Sequence, residues 1–485
     1  MQTRRVIINP TETAYPGGRG SDQLVVYTRD YGKPTTGTNP YGTEFVVAGG
    51  IVTEFGSNNS RIPEDGFVVS GHGEAQNWLQ ENLWYGSRVY LENDEIKVLT
   101  DETTERDGAR ILAEKMAEEG ILSSSSAAPT TRSEIEDLYL KSLPSRTVEV
   151  RGIWHEQTEK TPNEIRKTVK RLQDSGFNLL LLEVYYHGYT IYPSKFATQM
   201  PQYEGWDPLA VWQEECNKAG IEIHPWVHCF FAGFGEKGSV ADLHPEWLGK
   251  RRDGKLQSNV ERGFYWLEPA LDEVQDFLIS LFKELLHTYG FSALHLDYIR
   301  YGETACFNEA FSFSDSAVKV FKEKTGLDAL ELTKDSQEWA LWLKFREDNI
   351  TRFVRRARKE FPGVLLSTAI FPELEHARAS KGQNWALWLE EGLLDYLAPM
   401  IYSTDTEYVV KMTEFAKDLN PQIPVYTGLG PFMGFSPLEL ARQIYAVSKA
   451  APGTVLFALH SVKDRHMEAL KKGIFKAKAV LPWQK

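Results

Sequence analysis

Eight short apolar runs, separated by stretches of helical period, fill residues 147–485. This alternation predicts an α/β fold, a closed (β/α)8 barrel. Two further observations support it. The segment from Ser292 starts as a short apolar strand, as a strand buried on both faces should. Acids, histidines and aromatics gather at their carboxyl ends, where barrel strands leave the core and ligands bind. A doubly wound open sheet is the alternative. The barrel is preferred because eight is the closure number and no glycine-rich phosphate loop follows the first run. A small β-rich domain and a linker precede the barrel.

The predicted strands are 148–154, 178–185, 222–228, 293–297, 364–370, 396–402, 425–428 and 454–460. Helical stretches lie between them at 163–175, 208–219, 271–289, 338–360, 406–419 and 437–449. Ser175-Gly-Phe-Asn178 and Lys218-Ala-Gly-Ile221 place glycine just past a helix end, where a left-handed residue closes the last turn.

Residues 1–100 differ in kind. Short β-type runs (Leu24-Val-Val-Tyr-Thr28, Glu44-Phe-Val-Val47, Phe67-Val-Val-Ser70, Arg88-Val-Tyr-Leu91) alternate with Gly, Asn and Pro turns, and one helix is expected at 73–82. Residues 101–146 have linker composition around Leu122-Ser-Ser-Ser-Ser-Ala-Ala-Pro, with helices expected at 105–119 and 133–142.

Composition narrows the function. The chain of 485 residues carries a formal net charge of −13 and no Lys/Arg tract, which argues against nucleic acid as a partner. No apolar run approaches the roughly 18–20 residues of a membrane span. Three cysteines without a CxxC pair argue against a disulfide framework or a zinc or redox motif. The first ten residues hold no apolar stretch of signal-peptide length, which leaves the compartment open. Aromatics make up 12% of the chain, and such rings form flat platforms on which sugar rings stack.

The most informative segment is Ser292-Ala-Leu-His-Leu-Asp-Tyr-Ile-Arg-Tyr301, an apolar strand that ends in an acid, a base and two aromatics. The other strand ends add Trp154 and His155; Glu183, Tyr185, Tyr186 and His187; Trp226 and His228; Phe371 and Glu373; Met400, Tyr402 and Asp405; and His460. Carboxylates among aromatics suit glycoside hydrolysis, in which one acid protonates the leaving oxygen and one carboxylate serves as nucleophile or base. The two must sit in different environments so that one stays protonated near neutral pH. Asp297 is the candidate nucleophile or base. Glu183 is its candidate partner, or a group that holds a sugar hydroxyl. Glu373 and Asp405 are further candidates for the acid. Arg300 is expected to pair with Asp297 and keep it ionised; the plain alternative is a strand-end ion pair that only holds a loop.

Trp154, Trp226 and Tyr402 are candidate sugar platforms or ordinary barrel packing. Tyr185, Tyr298, His155, His187, His228, Arg300 and His460 are candidate substrate contacts. His224 and His228 share a strand face but lie roughly 13 Å apart, too far for one metal ion. No metal and no cofactor is expected.

Several of these stretches resemble the glycosyl hydrolase-like family 10. They are Leu182-Glu-Val-Tyr-Tyr-His-Gly188 with Ile191-Tyr-Pro-Ser194, Asp207-Pro-Leu209 with Ile223-His-Pro-Trp-Val-His228, His244-Pro-Glu-Trp247, Leu267-Glu-Pro269, Leu294-His-Leu-Asp-Tyr-Ile-Arg-Tyr301, Phe345-Arg-Glu-Asp-Asn-Ile350 and Asp395-Tyr-Leu-Ala-Pro-Met-Ile-Tyr402. They follow the family's order over about 147–480. The resemblance implies a TIM barrel acting on bacterial glycans such as peptide-free peptidoglycan strands, in the periplasm or outside the cell. Two positions depart from the family pattern. Some members carry Gln where Glu183 stands, and many carry a second Asp where this chain has Tyr298. The stretch from Gly20 to Gly73 is similar to the opening of phosphodiester glycosidase-type domains. It is too short for that active site, and implies an accessory module for glycan binding or wall attachment. The expected function is a two-carboxylate glycosidase acting on a polysaccharide or oligosaccharide. A non-catalytic glycan-binding barrel is the first alternative. A metal-dependent hydrolase or deacetylase using His155, His224, His228 and an Asp is the second.

Overall fold

The computed structural model describes residues 6–8, 24–28, 43–56, 62–71, 74–92, 95–121, 129–261, 263–304 and 306–484. Eight strands form the barrel: β1 Val150–His155, β2 Leu179–Tyr186, β3 Glu222–His228, β4 Ala293–Asp297, β5 Leu365–Ile370, β6 Tyr396–Pro399, β7 Thr427–Leu429 and β8 Gly453–Leu456. Each pairs in parallel with its neighbour, and β8 returns to β1. Two parallel bridges, Leu397 to Val425 and Met400 to Gly428, join β6 to β7 and close the ring. The predicted (β/α)8 barrel is the fold.

The residues explain why these strands form. In β2 four leucines run in succession, all fully buried. Leu179 and Leu181 face the barrel interior with Trp154, Trp226 and Tyr396. Leu180 and Leu182 face the surrounding helices. Both faces are apolar because both are covered, and each leucine contributes about 1.5–3 kcal/mol. Between strands, Thr161 and Asp207 cap the helices Pro162–Asp174 and Pro208–Ala219, each with proline in the first turn. Gly220 ends the second helix at φ +70°, the left-handed geometry that glycine adopts without cost. Two strands end well short of the predicted residue: β6 stops at Pro399 rather than 402, and β8 stops at Leu456 rather than 460.

The barrel interior also carries a polar column. Trp154 Nε1 donates to His295 Nε2 at 3.2 Å, His295 Nδ1 lies 2.9 Å from Ser367 Oγ, and His224 Nδ1 lies 2.8 Å from Tyr396 Oη. The chain end shuts the amino-terminal mouth. Trp483 stacks on Tyr396 with centroids 6.0 Å apart and donates to Glu222 at 2.9 Å.

The N-terminal region is an antiparallel seven-stranded sheet in the order Val6–Ile8, Leu24–Thr28, Gly66–Gly71, Thr43–Ala48, Ile51–Gly56, Arg88–Glu92, Glu95–Leu99. The first, fifth and last of these escape sequence reading because they are short or mix charge with apolar residues. Helix Glu74–Asn82 packs Ala75 and Leu79 onto the sheet. Helices Glu102–Glu118 and Arg132–Ser142, expected to flank a linker, bury Leu112, Met116, Ile135 and Tyr139 in the same apolar cluster as the barrel helices. The Ser-rich stretch 122–128, and residues 20–23, 29–42, 57–61 and 72–73 of the stretch likened to phosphodiester glycosidases, lie outside the described residues.

Candidate active site

A cavity of about 530 Å³ opens at the carboxyl ends of the barrel strands. Glu156, Glu183, Asp297, Arg300 and Glu373 bring charge to it, and Tyr186, Trp226, Phe231, Tyr298, Tyr402, Phe432 and Phe457 wall it. Glu183 leaves the interior face of β2 opposite Trp226 on β3, and Asp297 is the last residue of β4, opposite His228. The two carboxyl groups therefore enter one cavity from strands flanking β3, with Asp297 the further along its strand towards the mouth.

Their surroundings differ. Asp297 is 7% exposed. Burial pushes its pKa up to about 6, held from rising further by hydrogen bonds that favour the anion. Tyr298 N–H donates to Oδ1 at 2.6 Å and Trp226 Nε1–H donates to Oδ2 at 3.0 Å. Tyr298 sits at φ +50°, an uncommon conformation for a bulky residue, which turns its amide onto the carboxylate. Glu183, also 7% exposed, has no such donors within hydrogen-bonding geometry among the described residues. Burial, then the charges of Glu156 and Asp297, push its pKa well above the carboxylate range. His228 Nε2 lies 3.3 Å from Glu183 Oε1 but is not aligned to bond it. Burial holds this imidazole neutral, so the pair is not an ion pair. His228 and the Tyr402 hydroxyl both reach the cavity with buried polar atoms that lack protein partners. Such groups are poised to meet ligand hydroxyls.

Of the residues predicted from sequence, Asp297, Glu183, Glu373, Trp226, His228, Tyr298, Arg300 and Tyr402 line this cavity. Arg300 does not pair with Asp297. Its Nη2 lies 2.8 Å from Glu261 Oε1, and its guanidinium stacks over Trp266 and Tyr298. Asp297 is thus not driven to low pKa, contrary to the expectation from sequence. Glu373 is exposed at the rim and accepts from the Tyr408 hydroxyl. Asp405 caps helix Thr406–Leu419 through Tyr408 N–H at 3.0 Å, and lines a different cavity beside the N-terminal sheet.

Trp154 is buried in the barrel core, bonded to His295. His155 points outward, 3.0 Å from Glu159 and against Trp212. Tyr185 also points outward, packed on Phe277 and Phe282. The cause is a bulge: Trp226 pairs with Glu183 but Val227 pairs with Tyr185, so alternation skips one residue and Tyr186 takes the inward place. His187 stands behind the wall, its ring against Tyr186 and Phe231, and burial lowers its pKa to about 4. His460 sits outside the lining, with Nδ1 3.2 Å from Glu156 Oε2, a contact that raises its pKa.

Glu156 is the carboxylate that sequence reasoning missed. Trp154 faces inward and His155 outward, so the next residue returns to the mouth; the alternation of β1 carried one step further finds it. Among the described residues no group of three His, Cys, Asp or Glu side chains is arranged to hold a metal ion.

Comparison with known proteins places this site in a family. Residues 149–432 match the model of Glycosyl hydrolase-like 10. Among curated proteins, the chain is 23% identical over 272 residues to Glycosyl hydrolase YngK of Bacillus subtilis (strain 168), covering 49% of this chain and 48% of that one. It is 23% identical over 260 residues to Glycosyl hydrolase DigH of Escherichia coli (strain K12), covering 48% and 56%. The chain spans about half the length of the curated relatives it matches. The matched region contains every barrel strand up to β7, with Glu183 and Asp297, and the chain belongs to the glycosyl hydrolase-like 10 family.

Proposed function

We propose that this protein is a glycosidase that cleaves a bacterial cell-wall or extracellular polysaccharide, with Glu183 as general acid and Asp297 as nucleophile or base. The observation that carries this reading is the pair itself: two buried carboxyl groups in one aromatic-walled cavity, with environments that push their protonation apart. Near neutral pH Asp297 is largely ionised, held by Trp226 and Tyr298, while Glu183 keeps its proton. Glu183 donates that proton to the glycosidic oxygen as the bond breaks. Asp297 attacks the anomeric carbon, or takes a proton from the attacking water. The choice rests on the carboxyl separation, roughly 5–5.5 Å for retention against 6.5–9.5 Å for inversion. His228, Tyr402 and the aromatic walls hold the sugar by its hydroxyls and its apolar face. The family resemblance supports an amino-sugar polymer such as peptide-free peptidoglycan as substrate, and therefore a periplasmic or secreted site of action.

The test is incubation of the chain and Asp297→Asn with peptide-free peptidoglycan strands and a panel of bacterial exopolysaccharides, with fragments read by mass spectrometry. Cleavage by the intact chain that disappears in the variant is expected. Binding by both proteins without cleavage by either would refute the glycosidase reading in favour of a glycan-binding protein.

A further inference from the structure

One of the two hydrogen bonds to the Asp297 carboxylate comes from a strained neighbour. Tyr298 stands at φ +50°, and in that conformation its N–H meets Asp297 Oδ1 at 2.6 Å. A bulky residue keeps a left-handed backbone only where its surroundings hold it there. The Tyr298 ring is boxed by the His228 ring at 4.4 Å, the Phe231 ring at 5.0 Å and the Arg300 guanidinium at 5.1 Å.

Arg300 brings the charge to this box. Its side chain is 7% exposed, and its guanidinium also lies 4.5 Å over Trp266 and 5.1 Å over Phe371. A flat cation among ring faces is attracted by each of them. Two contacts fix its direction: Nη2 pairs with Glu261 Oε1 at 2.8 Å, and Nη1 donates to the Tyr301 carbonyl oxygen at 3.2 Å. Glu261 is anchored in turn. Its Oε2 accepts from Glu303 N–H at 2.7 Å, its own N–H donates to Ser258 Oγ at 3.1 Å, and that hydroxyl donates to the Glu303 carbonyl oxygen at 3.2 Å. The segment between β3 and β4 is thus laced to the loop after β4 behind Tyr298. Phe371, from the loop after β5, also carries the Lys381 ammonium at 4.2 Å, which pairs with Glu303. A buried ion pair adds little net stability, because desolvation offsets the attraction. What this pair supplies is a fixed orientation.

We propose that Arg300 and Glu261 are positioning residues for Asp297. Held by Glu261, the guanidinium presses on the Tyr298 ring, keeps that residue in its left-handed conformation, and so keeps its amide on the carboxylate. Neither residue touches the reacting atoms. The other titratable groups that face Asp297 are Glu183 on β2, His228 and Cys229 at the end of β3, and Tyr402 after β6. Arg300 faces Glu261 and, on the Phe371 ring, Lys381. The consequence for turnover rests on the glycosidase reading; the effect on Asp297 itself does not.

The test reads Asp297 directly, by NMR titration of the full chain isotope-labelled at the aspartate carboxyl carbons. The Asp297 resonance is identified by its loss in Asp297→Asn. Arg300→Lys keeps the charge and removes the flat stack. Glu261→Gln keeps Arg300 and removes its anchor. Burial lifts the Asp297 pKa to about 6 in the native chain. In both variants, loss of the Tyr298 N–H should lift it by roughly one further pH unit, about a tenfold rise in proton affinity, the size of one hydrogen bond to a charged group. Loss of the Glu261 charge alone would lower it, so a rise in that variant separates position from charge. In Tyr298→Gly, whose backbone adopts positive φ with no ring to hold, adding Arg300→Lys should produce no such rise. An unchanged Asp297 titration in both variants would overturn the proposal. So would a full rise in the Tyr298→Gly background, since Arg300 would then act without Tyr298. Circular dichroism checks that each variant folds; should one not fold, the other decides. On a cleaved glycan the acid limb of kcat/KM should move to higher pH by the same amount in both variants, because Asp297 then ionises later. If the intact chain cleaves no glycan, glycosidase action fails, and the titration still decides the role of Arg300.

Discussion

At the scale of single residues, the account turns on what surrounds two carboxyl groups. Asp297 receives two N–H donors, and Glu183 receives none within hydrogen-bonding geometry while facing two acids. In the proposed mechanism, activity requires Asp297 ionised and Glu183 protonated. kcat/KM should therefore rise as pH passes about 6 and fall as pH passes the raised pKa of Glu183. Trp226→Phe keeps the ring but removes a donor to the anion, so the pKa of Asp297 climbs and the acid limb moves to higher pH. Glu156→Gln removes a negative neighbour of Glu183, so that pKa falls and the basic limb moves to lower pH. A pH–rate profile of each variant checks both, and limbs that stay in place would separate these groups from the titrating pair. Asp297 was legible because an acid ends an apolar strand. The role assigned to Arg300 was not, because its partner Glu261 lies 39 residues away in sequence, on a loop no local pattern links to it.

At the scale of elements, strand period decides which side chains reach the cavity. The count of eight strands, and the helices between them, follow from apolar runs and caps that the sequence displays openly. The faces of β2 do not. A bulge at its carboxyl end turns Tyr185 out and Tyr186 in, and bulges answer to neighbouring strands rather than to local composition. Close approach between strands is likewise invisible in one dimension. At Gly453 a Cβ would sit 2.4 Å from the Val150 carbonyl oxygen, where β8 closes on β1. Gly453→Ala should therefore cost about 1–3 kcal/mol by overpacking the seam. Thermal unfolding checks this, and an unchanged melting temperature would mean that the seam relaxes freely.

At the scale of the whole molecule, the barrel gathers residues from 156 to 457 into one cavity, with its far mouth shut by Trp483. Helices expected at a linker are instead packed into the barrel's apolar cluster, which they share with Trp84 and Tyr85 of the module, while the N-terminal sheet keeps an apolar cluster of its own. That sharing was hidden because Ser-rich composition marks only the short stretch between them. The central claim is that this cavity holds an acid and a nucleophile or base with separate roles. The most direct measurement compares Glu183→Gln and Asp297→Asn on the natural glycan and on a dinitrophenyl glycoside of the same sugar, whose leaving group needs no proton. Both variants should fail on the glycan. Glu183→Gln should recover most of its turnover on the activated glycoside, with its basic limb gone, and Asp297→Asn should stay inactive on both. Recovery by Asp297→Asn, or equal loss by both variants on both substrates, would contradict the assignment.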